Sequence, residues 1–177
     1  MIKFRKTKEQ VIIIKKKIGF TIGKFAPLHK GHEHLIETAL KEADELYVVI
    51  YDTDVTNIPV ETRAKWITDK FNNVKIIYAF DGPKQYGLDD ESVKIQMEYL
   101  TKKIEGIPVN CFFSSEPYGE KVAEYLNIEN RIVDISRSQV PISGGLIRND
   151  IEKHKIFLDD KIYNEIKSLN NEQKGGN

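Results

Sequence analysis

The sequence lacks the features that mark an exported or membrane-spanning protein. Among its 177 residues there is a single cysteine, Cys111, so no internal disulfide can form. No apolar run approaches the roughly 18 to 20 residues that a membrane helix needs. The early run VIIIKKKIGF is broken by three lysines and precedes no cleavage pattern. These absences exclude a disulfide-built secreted domain and an integral membrane protein, and we expect a cytoplasmic protein.

An excess of charge of one sign is also lacking, since 27 basic residues balance 27 acidic ones. The balance is uneven, because residues 1–17 hold seven basic residues against a single acid. Phe4 is the one aromatic residue among residues 1–17, and the rest of the chain is net acidic. Both observations disfavour a nucleic-acid-binding protein. We interpret residues 1–16 as a basic extension, 17–170 as one domain and 171–177 as a disordered tail.

Short apolar runs alternate with helical patterns from residue 18 onward. The runs IGFTIG, ELYVVIY, NVKIIYAF, PVNCFFSS and NRIVDIS are rich in β-branched and aromatic residues and are typical of buried strands. Amphipathic segments at 31–43, 61–71, 91–104, 117–126 and 159–169 are predicted helices. This alternation predicts an α/β fold, a Rossmann-like doubly wound parallel sheet of about five strands with helices on both faces. Ligands of such sheets bind at the carboxyl ends of the strands.

The stretch GKFAPLHKGHEH follows the first strand of this predicted sheet and opens its first helix. It matches neither the P-loop pattern G-x-x-x-x-G-K-[ST] nor the dinucleotide pattern G-x-G-x-x-G. A three-histidine metal site is disfavoured, because His32 and His34 lie about 200° apart on a helix that begins near Gly31. An anion site is favoured, because glycines admit a ligand, a helix start attracts phosphate, and His29, His32 and Lys24 supply donors and charge.

A second candidate helix start lies in ISGGLIRND. Ser143 is a good N-cap, Gly144 leaves backbone amides open, and Arg148 presents a rigid fork of donors. Alone, the segment is equally well explained as an ordinary capped helix. Two such helix starts at strand ends of one Rossmann-like domain favour nucleotide binding.

The two segments resemble the paired motifs of the HIGH-motif nucleotidyltransferase superfamily. GKFAPLHKGH fills every position of the signature G-x-F-x-P-x-H-x-G-H, and ISGGLIR is similar to I-S-x-x-x-I-R. Over residues 18–153, the segments VETRAKWI, SSEPYGEKVAEYL and SRSQVPISG look most like the nicotinamide-mononucleotide (NMN) adenylyltransferase domain of the bifunctional NAD-biosynthesis proteins. One departure is that no tryptophan follows the third strand, where that family commonly stacks an aromatic ring on the nicotinamide.

The resemblance implies an enzyme that moves a nucleoside monophosphate from a triphosphate to a phosphorylated acceptor and releases pyrophosphate. Mg²⁺ would be carried with the triphosphate. The implied catalytic residues are Lys24, His29, His32 and Arg148. The implied nucleotide-binding residues are Gly23, Phe25, Gly31, Ser115, Glu116, Tyr118, Arg137, Ser143 and Gly144. The implied acceptor-binding residues are Arg63, Trp66 and Tyr86, although Trp66 is equally well explained as core and Arg63 as a surface ion pair.

The substrates stay open at this stage. An NMN adenylyltransferase that makes NAD is the first expectation. A cytidylyltransferase or another adenylyltransferase with a different phosphorylated acceptor is the alternative, and a non-catalytic nucleotide sensor is an alternative of another class. We expect ATP or CTP and a small phosphorylated molecule as partners, no membrane, and a homo-oligomer.

Overall fold

The structure is a computed structural model that describes residues 2–7, 10–84, 87 and 89–175, with side chains between residues 15 and 171 of those ranges. Its strands are β1 (Ile2–Thr7), β2 (Gln10–Lys15), β3 (Ile18–Gly23), β4 (Glu45–Tyr51), β5 (Val74–Ala79), β6 (Cys111–Ser114) and β7 (Glu129–Ile132). Its helices are α1 (Lys30–Glu42), α2 (Val60–Lys70), α3 (Asp90–Lys103), α4 (Tyr118–Leu126), α5 (Gly144–Asn149), α6 (Ile151–His154) and α7 (Asp160–Gly175), with a 3₁₀ turn at Lys155–Phe157.

The main sheet confirms the predicted fold. Five strands pair in the order β5-β4-β3-β6-β7, and every pair is parallel. The central strand β3 pairs with β4 on one side and with β6 on the other. The strand order therefore reverses between β3 and β6, which is the switch point where ligands of doubly wound sheets bind.

Each face of the sheet has its own hydrophobic core. One core joins the sheet to α1, α2 and α7 and includes Ile36, Val48, Ile67, Phe113 and Ile162. The other joins it to α3 and α4 and includes Phe20, Val49, Met97, Phe112 and Val122. Because successive strand residues point to opposite faces, a strand covered on both faces must be apolar throughout. This burial explains why the inner strands β3, β4 and β6 are mostly apolar in sequence, whereas the edge strand β7 is polar.

The two ends of the chain extend beyond the main sheet. In the segment expected to be a basic extension, β1 and β2 pair antiparallel in a separate two-stranded sheet. Helix α7 continues to Gly175, past residue 170 where the sequence analysis ended the domain. Within the described ranges, no helix is long and apolar enough to cross a membrane.

We predict that Gly19→Ala destabilises the fold. A Cβ at this position of the central strand would lie 2.5 Å from the Phe113 ring and 3.3 Å from Cβ of Ala43, so the core would be overpacked. Such changes cost about 1–3 kcal/mol of unfolding free energy, which urea denaturation would measure. Gly145→Ala is the control, because its nearest neighbours would lie at an ordinary 3.8 Å or more. Equal stability of the two variants would contradict the prediction.

Candidate functional site

A cavity of about 970 Å³ opens at the carboxyl ends of β3 and β6. It is lined by every catalytic and nucleotide-binding residue named from the sequence: Gly23, Lys24, Phe25, His29, Gly31, His32, Ser115, Glu116, Tyr118, Arg137, Ser143, Gly144 and Arg148. These residues come from segments more than 100 positions apart in the chain. The structure therefore brings them together, while their individual roles stay predictions.

His29 is the N-cap of α1 and uses its own ring for that purpose. Its Nδ1 accepts hydrogen bonds from the backbone N–H groups of Gly31, at 3.1 Å, and His32, at 3.4 Å. A ring nitrogen that accepts these bonds carries no proton, so the neutral ring carries its hydrogen on Nε2. A helix start attracts phosphate through unpaired backbone amides. The amides of Gly31 and His32 are instead bonded to the ring, whose remaining N–H donor is on Nε2.

The His29 ring is held by the aromatic residues beside it. The imidazoles of His29 and His32 stack with centroids 3.7 Å apart, and the Phe25 ring centroid lies 4.7 Å from that of His32. Phe25 has a φ of 48°, in the left-handed region, and its side chain is 1% exposed. This uncommon backbone conformation of Phe25 accompanies the packing of its ring against the ring of His32.

Burial makes both histidines poor bases. It lowers the pKa of His29 to about 4, and the positive charge of Arg137 acts in the same direction. Burial also lowers the pKa of His32 well below its usual range, and the adjacent His29 adds to the effect. At pH 7 the two stacked rings are therefore neutral and add no positive charge to each other.

Two glycines make room for the functional side chains. A Cβ at Gly31 would lie 3.1 Å from Cε1 and 3.2 Å from Nδ1 of His29, so a larger residue would press on the capping ring. A Cβ at Gly144 would lie 3.0 Å from Nη1 of Arg148 and 3.2 Å from the carbonyl oxygen of Ala26. Glycine at both positions lets the loop before α1 and helix α5 approach each other closely.

Helix α5 meets this loop through Arg148. Nη1 of Arg148 donates to the Ala26 carbonyl oxygen at 2.5 Å. Ser143 caps the helix, since its side chain accepts from the Leu146 amide at 3.3 Å. The predicted second helix start is thus confirmed as a capped helix, and its arginine lies at the cavity that His29 and His32 line.

The loop after β7 carries a second arginine to the cavity. Nη2 of Arg137 lies 2.6 Å from Oε1 of Glu116. The loop is shaped by Asp134, whose carboxylate accepts hydrogen bonds from the amides of Ser138, Gln139 and Val140 at 2.8–3.2 Å. Burial alone would raise the pKa of Asp134, but these bonds lower it below its usual value.

Two of the three residues expected to bind the acceptor, Arg63 and Trp66, are not among the residues that line the cavity. Arg63 is 1% exposed and bonds to backbone carbonyls beneath the loop. Trp66 is 3% exposed in the core beside α7, where its Nε1 donates to Glu165 at 2.5 Å. The resemblance implied acceptor binding for both residues, but Trp66 follows the alternative of a core position, and the hydrogen bonds of Arg63 go to backbone carbonyls inside the fold. Tyr86 lies outside the described residues.

Several residues that line the cavity were not expected from the sequence. His34, Gln96, Ser114 and Asp134 are among them. The run NRIVDIS was interpreted as a strand through residue 136, but β7 ends at Ile132 and Asp134 has a φ of 47°. The polar run SRSQ after this aspartate could have indicated a turn, since an aspartate in a turn commonly accepts hydrogen bonds from amides a few residues onward.

No metal-binding cluster is present in the described part of the chain. Within those residues, no group of three or more histidine, cysteine, aspartate and glutamate side chains is placed to hold an ion. Of the three neighbouring histidines His29, His32 and His34, the first two stack face to face instead of converging on an ion.

Comparison with known proteins places the chain among nucleotide-handling proteins. The family model described as the citrate lyase ligase C-terminal domain matches residues 18–142. The trifunctional NAD biosynthesis/regulator protein NadR of Escherichia coli (strain K12) is 32% identical over 77% of this chain and 37% of its own length. The NadR protein of Salmonella typhimurium is also 32% identical, over 76% of this chain. The chain thus spans little more than a third of these relatives.

Solved structures share the fold. A NadR protein in complex with NAD and AMP-PNP superposes with a TM-score of 0.59 at 21% identity, covering 81% of this chain and 44% of that one. A bifunctional NMN adenylyltransferase/ADP ribose pyrophosphatase from Francisella tularensis gives 0.62 at 17% identity, covering 88% and 50%. The identification of HIGH-type motifs from the sequence is confirmed, and this chain belongs to the citrate lyase ligase C-terminal domain family of nucleotidyltransferase-like proteins.

Proposed function

We propose that this chain transfers AMP from ATP to nicotinamide mononucleotide, which yields NAD and releases pyrophosphate. The observation that carries the proposal is the meeting of the two motif segments at one cavity, where Arg148 donates to the Ala26 carbonyl beside His29 and His32. Both motifs are therefore able to contact one bound nucleotide. An accidental resemblance would not predict that the two motif segments meet at one cavity.

The charges around the cavity suit a polyphosphate. Lys24, Arg137 and Arg148 supply three positive charges, whereas the carboxylates are Glu116, which pairs with Arg137, and Asp134, which accepts from its own loop amides. His29 and His32 lie among these cations as neutral rings. We assign the arginines to the phosphates that leave and the histidines to the phosphate that is transferred.

The reaction needs positioning more than chemical assistance. An oxygen of the acceptor phosphate forms a bond to the α-phosphorus of ATP. At the same time a bond breaks between the α-phosphorus and the oxygen that bridges it to the β-phosphorus. The electron pair of that bond leaves with pyrophosphate. Because no covalent enzyme intermediate forms, the cavity requires no nucleophile.

His29 is suited to the charge that grows on the α-phosphate. Its two accepted hydrogen bonds fix the ring, and they polarise it so that the Nε2–H becomes a stronger donor. A donor held in advance costs no reorganisation when the transition state forms, and removal of one such donor typically costs about 10²–10³ in rate. Magnesium enters with ATP as part of the substrate and keeps most of its waters.

The choice of NMN as acceptor rests on the relatives. Two curated proteins named for NAD biosynthesis are 32% identical to this chain, and one fold neighbour is a bifunctional NMN adenylyltransferase. The cavity volume is near the upper end of the roughly 300–1,000 Å³ found for ligand pockets, which is enough for two nucleotides to meet. A cytidylyltransferase, an adenylyltransferase with another acceptor and a non-catalytic sensor are the alternatives.

Pyrophosphate release tests the proposal directly. ATP and CTP are each combined, with magnesium, with nicotinamide mononucleotide, nicotinate mononucleotide and several alcohol phosphates. We expect release with ATP and NMN, accompanied by NAD in the product analysis. Release only with CTP or an alcohol phosphate would keep the chemistry and overturn the acceptor. Binding of ATP without release in any combination would favour the sensor.

Substitution of His29 separates its capping role from its donor role. His29→Ala loses both, and we expect a stability loss of about 1 kcal/mol with a rate loss of at least about 100-fold. His29→Asn keeps a side-chain oxygen for the cap, so stability should return while the rate stays low. Thermal unfolding and steady-state kinetics of the two variants measure this. Near-normal turnover by His29→Asn would show that the ring donor is dispensable.

Acid should destabilise the wild type through His29. The unfolded chain takes up a proton near pH 6.5, whereas the folded chain resists protonation of this ring until about pH 4. Stability is therefore full above pH 6.5 and falls toward pH 4, by roughly 3 kcal/mol from this group. Urea denaturation at several pH values would measure the loss. His29→Asn is the control, and an equal loss in both proteins would contradict the assignment.

A further inference from the structure

Arg63 is a buried cation outside the cavity. Its side chain is among the largest that are fully buried, at 1% exposure. In the part of the chain that the structure describes it forms no ion pair, so its charge is met by backbone carbonyl dipoles. Burial lowers its pKa, although the charges of Asp52 and Glu61 oppose the effect. A guanidinium in such a place is costly to bury, and its bonds indicate what it does there.

The guanidinium of Arg63 joins three segments at the carboxyl edge of the sheet. Nη1 donates a short hydrogen bond to the carbonyl of Lys24, the first residue after β3. The same nitrogen donates to the carbonyl of Tyr51, the last residue of β4, at 2.9 Å. Nε donates to the carbonyl of Ile58, just before α2, at 3.1 Å. One planar fork therefore fixes the start of the loop that leads to His29 relative to β4.

We propose that Arg63 is a positioning residue that holds this loop, residues 24–29, so that His29 and His32 face the transferred phosphate. The proposal rests on the proposed function for its kinetic consequence. Lys24 is followed directly by Phe25, whose ring packs against His32. A shift of the Lys24 carbonyl would therefore pass through Phe25 to the histidine stack.

Lysine cannot replace this arginine. A guanidinium presents donors in a rigid planar fork, whereas an ammonium is a single point on a flexible stem. The lysine side chain of an Arg63→Lys variant would keep the charge but could not hold the Lys24 and Ile58 carbonyls from two separate nitrogens. The substitution thus removes the geometry while it keeps the charge, which makes it the informative variant.

The test compares Arg63→Lys with Arg131→Lys. Arg131 is an exposed arginine paired with Glu42 at 2.7–3.0 Å and lies outside the cavity lining. With ATP and NMN, we expect Arg63→Lys to lower kcat about 10- to 100-fold, corrected for the folded fraction, with KM for ATP changed less than about threefold. Arg131→Lys should leave kcat unchanged. A purely structural role for Arg63 would lower the thermal midpoint and leave kcat per folded molecule unchanged.

A second measurement does not depend on activity. NMR titration of the His29 ring should show its pKa rising from about 4 toward the usual value in Arg63→Lys, because a loosened loop exposes the ring to water. If the wild-type protein releases no pyrophosphate with any substrate pair, the proposed function alone is overturned. The titration of His29 would still decide the role of Arg63. Unchanged kcat and an unchanged His29 pKa would overturn the positioning role. If Arg63→Lys does not fold, Arg63→Gln with the same two measurements replaces it.

Discussion

Two hydrogen bonds accepted by one imidazole nitrogen organise the site. Nδ1 of His29 takes the amides of Gly31 and His32, which makes the ring part of the helix start. This single arrangement sets the tautomer of His29, its stacking on His32 and the absence of a side chain at Gly31. Because the ring is bonded to the backbone, its orientation is as rigid as the helix itself. The cavity is thus shaped before any ligand arrives.

The distribution of charge follows from the same burial. The two histidines at the helix start are neutral, since burial lowers the pKa of both His29 and His32. The permanent cations, among them Arg137 and Arg148, lie on loops and a short helix around them. A polyanion in this cavity would therefore contact permanent cations as well as neutral rings. Such an arrangement avoids the cost of burying several like charges together.

Much of the fold was predictable because burial on both faces leaves a simple pattern. Strands β3 to β6 appeared as apolar runs and α1–α4 as amphipathic segments, whereas the run NRIVDIS overlaps the polar edge strand β7 only at residues 130–132. Thirteen of the residues that line the cavity were predictable, because both motifs have characteristic spacing and the segments between them resemble one family. The place of Arg63 was not predictable, since neither the resemblance nor the sequence pattern reveals that its guanidinium bonds to backbone carbonyls within the fold. For Trp66, the alternative of a core position, which the sequence had left open, is the one observed. Asp134 was missed because VDIS continues a strand-like alternation after the strand has ended.

The bond from Arg148 to the Ala26 carbonyl joins residues 122 positions apart in the chain. During synthesis the first motif leaves the ribosome well before the second, and strands β4 to β7 of the main sheet all lie between them. A long loop must close before such a contact forms, so it forms with or after the sheet rather than ahead of it. The first motif alone is therefore an incomplete binding site. Under the proposed function, nucleotide affinity would therefore report that the whole domain has folded.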